Sequence, residues 1–124
     1  MNQLGNQIEV ALSKNSNWIY RNKCQLLPGK QFYKISTFDF EIEQNKEEDT
    51  TPPIYTQTCE VIVTISEAVR LLINNQNLII KLTTLRGNEI IWGTKEYPVY
   101  CTATPNLDNV SLKLSCKTTT PLPY

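Results

Sequence analysis

Val110, Leu112, Leu114 and Cys116 alternate strictly with Ser111, Lys113 and Ser115. A strand points successive side chains to opposite faces, so a period of two marks a strand with one buried and one solvated side. The same period returns along most of the chain. Ile8, Val10 and Leu12 oppose Gln7 and Glu9. Cys59, Val61, Val63 and Ile65 share one face over 55–65, with Gln57, Glu60 and Thr64 among the polar positions around them. The longest candidate strand is 31–43, where Phe32, Phe38, Phe40 and Ile42 share one face, as do Lys34 and Ser36. Asp39, Glu41 and Glu43 take the other face.

Turn chemistry punctuates these runs. Pro28-Gly29 closes a segment 18–27 that predicts a second and a third short strand. Residues 78–85 and 89–92 flank Arg86-Gly87-Asn88, the signature of a hairpin. Residues 97–103 predict another strand with Val99 and Cys101 inward, broken by Pro105-Asn106. One segment has a helical pattern. Ser66 fits an N-cap, Glu67 suits the positive end of the helix dipole, and Ala68, Val69, Leu72 and Ile73 form one apolar face. The prediction is mainly β: a β-barrel or β-sandwich of about eight strands, with one short α-helix across one opening. No internal repeat is visible in the sequence.

The 124 residues fit a single β domain, 1–124. Residues 44–53 are polar and acidic and end in Pro52-Pro53, which predicts an exposed loop: a solvated hairpin tip, or an arm that orders against a neighbour. The tail 118–124 is rich in Thr and Pro and is expected to be extended. Charged residues are only 19% of the chain, and Asn, Gln and Thr fill the polar surface, which lowers the desolvation cost of burying it against a partner. Twelve basic and twelve acidic side chains cancel, which argues against sequence-specific nucleic-acid binding through clustered Lys and Arg. The N-terminal Met-Asn-Gln-Leu-Gly-Asn lacks the pattern of a secretory signal, and no apolar run is long enough for a membrane span, so an intracellular protein is expected.

Catalytic chemistry finds little to work with. The sequence contains no histidine, which excludes Ser-His and Cys-His nucleophile pairs. Asp39, Glu41 and Glu43 read as a solvated strand face rather than an acid/base pair. Glu47, Glu48 and Asp49 lack the spacing of a calcium loop, and the four glycines form no phosphate-binding motif. Cys24, Cys59, Cys101 and Cys116 lack paired zinc-ligand spacing, and the last three fall on apolar strand faces as buried free thiols. No enzyme, no metal and no cofactor is expected. Trp18, Tyr20, Tyr33, Tyr55, Trp92, Tyr97 and Tyr100 fit either a groove for sugar or peptide or amphipathic contacts at strand ends. Trp92-Gly93 favours a strand end where the ring packs and the glycine turns the chain.

The second half of the chain carries an ordered set of markers. Tyr55-Thr56-Gln57 opens a strand, a short helix follows, and 78–85 leads through Gly87-Asn88 to Ile91-Trp92-Gly93 and Glu96-Tyr97-Pro98. This order resembles small virion proteins of tailed bacteriophages and prophages from head–tail connector and tail gene clusters. The resemblance implies a structural subunit of a neck ring (connector, stopper or terminator) built on a β-barrel. It would sit in the virion, after assembly in the host cytoplasm, with DNA passing through the ring. Its partners would be a homo-oligomeric ring and neighbouring virion proteins, with no membrane. A distal tail or baseplate ring, or a carbohydrate- or peptide-binding β module, is the alternative. On the ring reading, loop and tail reach to neighbours, through Glu47, Glu48, Asp49, Pro52, Pro53, Thr119, Pro121, Leu122 and Tyr124. Deleting 118–124 is then expected to leave the fold intact and impair assembly.

Overall fold

The computed structural model describes every residue except 1, 21–22, 36, 38, 48, 50, 67–68, 71–76 and 123–124, and residues 2–4 by their backbone alone. Ten strands are described: β1 (Asn2–Leu12), β2 (Ser16–Tyr20), β3 (Lys23–Leu26), β4 (Tyr33–Ile35), β5 (Phe40–Glu47), β6 (Ile54–Thr64), β7 (Asn77–Thr84), β8 (Glu89–Trp92), β9 (Val99–Pro105) and β10 (Asn109–Thr118). Eight of them form one antiparallel sheet in the order β4-β1-β5-β6-β10-β9-β7-β8. The further pairing of β1 with β7 bends β1-β5-β6-β10-β9-β7 into a six-stranded ring. Its thinnest seam is β7–β9, held by Asn77↔Tyr100 and Leu78↔Val99. The fold is therefore a barrel rather than a sandwich.

The connectivity repeats. β1 pairs with β4 and β5, and β5 with β6; β7 pairs with β8 and β9, and β9 with β10. The two meanders join through β1–β7 and β6–β10. A repeat absent from the side chains is thus present in the pairing, because pairing is a backbone property that many sequences satisfy.

The core reads out as rungs across the wall. Ile35, Ile8, Leu82 and Ile90 are successive cross-strand partners, and all are buried. Val10, Ile80 and Trp92 make the next rung, and Trp92 is 1% exposed. Val110, Leu112, Leu114 and Cys116 line the β10 side, as their alternation predicts. Phe40 leans so close to β1 that a Cβ on Gly5 would stand 2.6 Å from its ring, so the glycine at the β1 bulge is a packing requirement.

Several expectations are corrected. The strand 31–43 is two strands, and the break between them changes the phase of the alternation. Ile35 is buried and Lys34 exposed in β4, whereas Phe40 and Ile42 are the buried pair in β5. Phe38 and Ser36 lie outside the described residues. β5 continues to Glu47, so residues 44–47 are ladder, not loop, and the connection shrinks to 48–53 with a cis Thr51–Pro52 bond. Gln44 and Asn45 stay in the strand because β6 offers a full set of backbone partners opposite them. β6 ends at Thr64 and leaves Ile65 51% exposed. The predicted helix falls mostly outside the described residues. Its start is seen: the Val69 amide donates to Ser66 Oγ at 3.3 Å, the Arg70 amide to the Ser66 carbonyl at 3.1 Å, and Val69 is buried. The one complete helical element among the described residues is a 3-10 turn, Ser13–Asn15.

Candidate functional site

The two rims of the barrel and one outer wall carry the features a partner can reach. At the first rim, Glu47↔Ile54 and Thr118↔Tyr55 bring loop 48–53 beside the C-terminal tail. Lys117 Nζ lies 3.6 Å from Glu47 Oε1, and Thr56 Oγ1 donates to the same oxygen at 3.4 Å. Asp49, Pro52, Thr119 and Pro121 are exposed, and Pro53 is half-buried. Glu48 and Tyr124 lie outside the described residues. Leu122 departs from the expectation of a free tail. It is 5% exposed and belongs to the core cluster.

A buried polar relay explains how the tail is held. Gln44, Gln57 and Cys116 are cross-strand partners on the inner face of β5, β6 and β10. Trp92 Nε1 donates to Gln57 Oε1 at 2.8 Å, and Gln57 Nε2 donates to Gln44 Oε1 at 2.7 Å. The Leu122 amide donates to that same Gln44 oxygen at 2.9 Å. A buried amide is tolerated where its donors and acceptors find partners. Sequence reading missed this group because glutamine reads as surface. The usable signal was phase: Gln57 is in step with Cys59, Val61 and Val63, not with their solvated neighbours.

At the second rim, the β9–β10 hairpin ends in Asn106, Leu107, Asp108 and Asn109. Leu107 is 99% exposed. The Asn106 amide donates to the Asn109 carbonyl at 2.8 Å, and Asn106 Nδ2 to Asn109 Oδ1 at 3.1 Å. Ile62 and Ile65, near the end of β6, are also exposed.

The outer wall carries the β2–β3 hairpin. Ala11, Ile79 and Ile91 point away from the barrel core and are nonetheless buried, since η1 meets β7 and β3 meets β8 there. Lys95 Nζ donates to the Ser16 carbonyl at 3.2 Å and pins the hairpin from the β8–β9 connection. Along its margin runs a groove of about 360 Å³, bounded by Trp18, Lys23, Gln25, Phe32, Lys81 and Ile91 among others. Lys81 Nζ lies 3.5 Å from Glu9, 4.0 Å from Glu89 and 5.3 Å from the Phe32 ring centre. The Trp18 indole N–H donates to Gln25 Oε1 across the hairpin, which fixes an indole that is 47% exposed.

The seven aromatic residues do not converge. Trp92 is a core residue, and Gly93 beside it has φ +94°, as expected for a ring packed at a turning strand end. Tyr20, Tyr33, Tyr97 and Tyr100 are exposed, and of the seven only Trp18 lines the groove. Glu41, Glu43 and Glu60 face solvent beside Lys113 on the outside of β5, β6 and β10, and Asp39 is exposed ahead of them. Among the described residues no three Cys, Asp or Glu side chains converge into a metal-holding group.

Cys59, Cys101 and Cys116 are buried free thiols, and Cys24 is half-buried. Burial pushes Cys59 up to about 12, with Glu60 adding to the effect, and pushes Cys101 and Cys116 up to about 11. Burial also raises Cys24, opposed by the positive charge of Lys81. The folded chain therefore keeps thiol protons that the unfolded chain releases near the ordinary value of 9.0. Stability is expected to be indifferent to these groups well below that value and to fall as pH rises from 9.0 towards 11 and 12. At neutral pH a thiol reagent should modify Cys24 first and the other three only on unfolding. Prompt modification of all four in the native protein would contradict the packing.

No protein-family model, curated protein or solved structure matches this chain.

Proposed function

We propose that this chain is a structural subunit of a tailed-phage virion, a neck-ring protein of the connector, stopper or terminator type, acting by docking rather than catalysis. The observation that carries the reading is the division of the molecule into a filled barrel and sticky extremities. The interior is occupied by side chains, so the barrel is a spacer and not a container. Loop 48–53 with the tail at one rim, and Ile62 with Ile65 at the other, give each copy axial contacts above and below. The resemblance of the second half to small virion proteins supports the same reading: its Gly87-Asn88 turn joins β7 to β8, and its Ile91-Trp92-Gly93 closes β8.

Antibody against the chain, gold-labelled, should mark the head–tail junction of tailed particles released by the source cells. Particles that lack the chain would overturn the proposal, and label at the far end of the tail would move it to a baseplate ring. The groove beside Trp18 favours one second reading, a carbohydrate- or peptide-binding module. A monomer retained on an immobilised glycan, and absent from particles, would establish that reading instead.

A further inference from the structure

We propose that the β9–β10 tip of one copy seats in the groove beside the β2–β3 hairpin of a second copy, with Leu107 against Trp18, Phe32 and Ile91 and Asp108 facing Lys23. The contact deepens the ring reading above, which supplies the expectation that copies meet side by side.

Three observations lead to it. First, a leucine that is 99% exposed on a hairpin tied at Asn106–Asn109 is an apolar knob that needs little further ordering to bind. The groove is its counterpart, with an indole already fixed by Gln25 and two further apolar side chains. Second, the charges match. Lys81 on the groove floor is satisfied by Glu9 and Glu89, whereas Lys23 takes part in none of the ion pairs formed among the described residues. Asp108, next to the knob, takes part in none either. Lys23 at the groove margin and Asp108 at the tip are opposite charges, which orients an encounter towards the lysine side of the groove and away from the cluster of Glu9, Lys81 and Glu89, where two carboxylates share one ammonium. Third, knob and groove lie on different walls. In the ring order β1-β5-β6-β10-β9-β7, the β9–β10 seam that leads to the tip stands two seams away from the β1–β7 seam beneath the hairpin. Each copy can therefore give its knob to one neighbour and accept a knob from another. Such a head-to-tail contact repeats until it closes into a ring.

Native mass spectrometry of the full chain provides the test. The unaltered chain should form multiples. Leu107→Asp, Lys23→Glu and Asp108→Lys should each weaken association roughly tenfold or more, as expected of anchor residues. Leu107→Asp should leave the melting temperature unchanged, since that side chain touches nothing in its own copy. Combining Lys23→Glu with Asp108→Lys should restore the multiples. Cys24 lines the groove, so Leu107→Cys treated with diamide should form disulfide-linked multiples that vanish when Cys24→Ser is added. Multiples that survive Leu107→Asp, or links that survive Cys24→Ser, would overturn this contact while leaving the ring reading intact. A chain that stays monomeric when unaltered would overturn this contact. If the substitutions behave as stated but virions lack the chain, the contact stands and the virion reading falls.

Discussion

Replacing Trp92 by alanine is expected to bring the domain close to unfolding at room temperature. The indole is 1% exposed and sits on the rung formed with Val10 and Ile80. Truncating a buried tryptophan to alanine costs about 3–5 kcal/mol through lost transfer energy and the cavity left behind. The same change removes the donor to Gln57 Oε1, a buried acceptor with no route to water. An orphaned buried polar group costs about 1–3 kcal/mol more. A domain of this size has about 5–15 kcal/mol in all, so the sum is a large share of it. Trp92→Phe helps separate the two contributions, because it keeps most of the ring volume while losing the donor to Gln57. Urea unfolding followed by circular dichroism should show the midpoint falling furthest for alanine and by an intermediate amount for phenylalanine. An alanine variant within about 1 kcal/mol of the unaltered protein would mean that the indole is not buried among these strands.

What sequence reading recovered and missed follows from the range of each signal. Alternation is local, so β10, the inner face of β6 and the β7–β8 hairpin were legible from their own residues. Trp92-Gly93 was legible for the same reason, since one glycine at positive φ turns the chain beside one packed ring. The break between β4 and β5 was not. A change of phase inside an apolar-rich stretch leaves both faces with plausible apolar residues, and only the pairing of Ile8 with Ile35 decides which is inward. Ring closure and the repeated connectivity depend on partners some seventy residues apart, as in Ile8↔Leu82, and no local pattern reports them. The candidate site was legible in part. Loop and tail were singled out as extremities; the structure brings Glu47, Ile54 and Thr118 to one rim, but makes 44–47 strand and Leu122 part of the core. The Leu107 tip was read only as a strand break, because exposure is a tertiary property. The interior glutamines were misread because residue type was weighed before phase.

The same glutamines turn the expected behaviour of the tail around. Thr118 is the last residue of β10, and Thr120 turns back through its amide to Thr118 Oγ1 at 3.2 Å. That turn carries Leu122 over the first rim and into the core, where its amide is fastened to Gln44 Oε1 at 2.9 Å. A tail that served only as an assembly arm would leave stability untouched when removed. Deleting residues 119–124 instead uncovers the rim end of the core and removes a buried leucine whose transfer alone is worth about 1.5–3 kcal/mol. The truncated chain is expected to fold with its melting temperature lowered by about 4 °C per kcal/mol lost, the value between those of smaller and larger domains. Leu122→Ala should reproduce most of the loss. Thr119→Ala and Pro121→Ala, at exposed positions, should stay within about 0.5 kcal/mol of the unaltered chain. Gln44→Leu tests the fastening itself: it leaves both the Leu122 amide and Gln57 Nε2 without their acceptor, so it should cost at least as much as the leucine truncation. A truncation that leaves the melting temperature unchanged would return the tail to the role of a free arm. A truncation that lowers it makes the tail a latch, released to a neighbour only if that neighbour supplies a replacement for Leu122 in the rim.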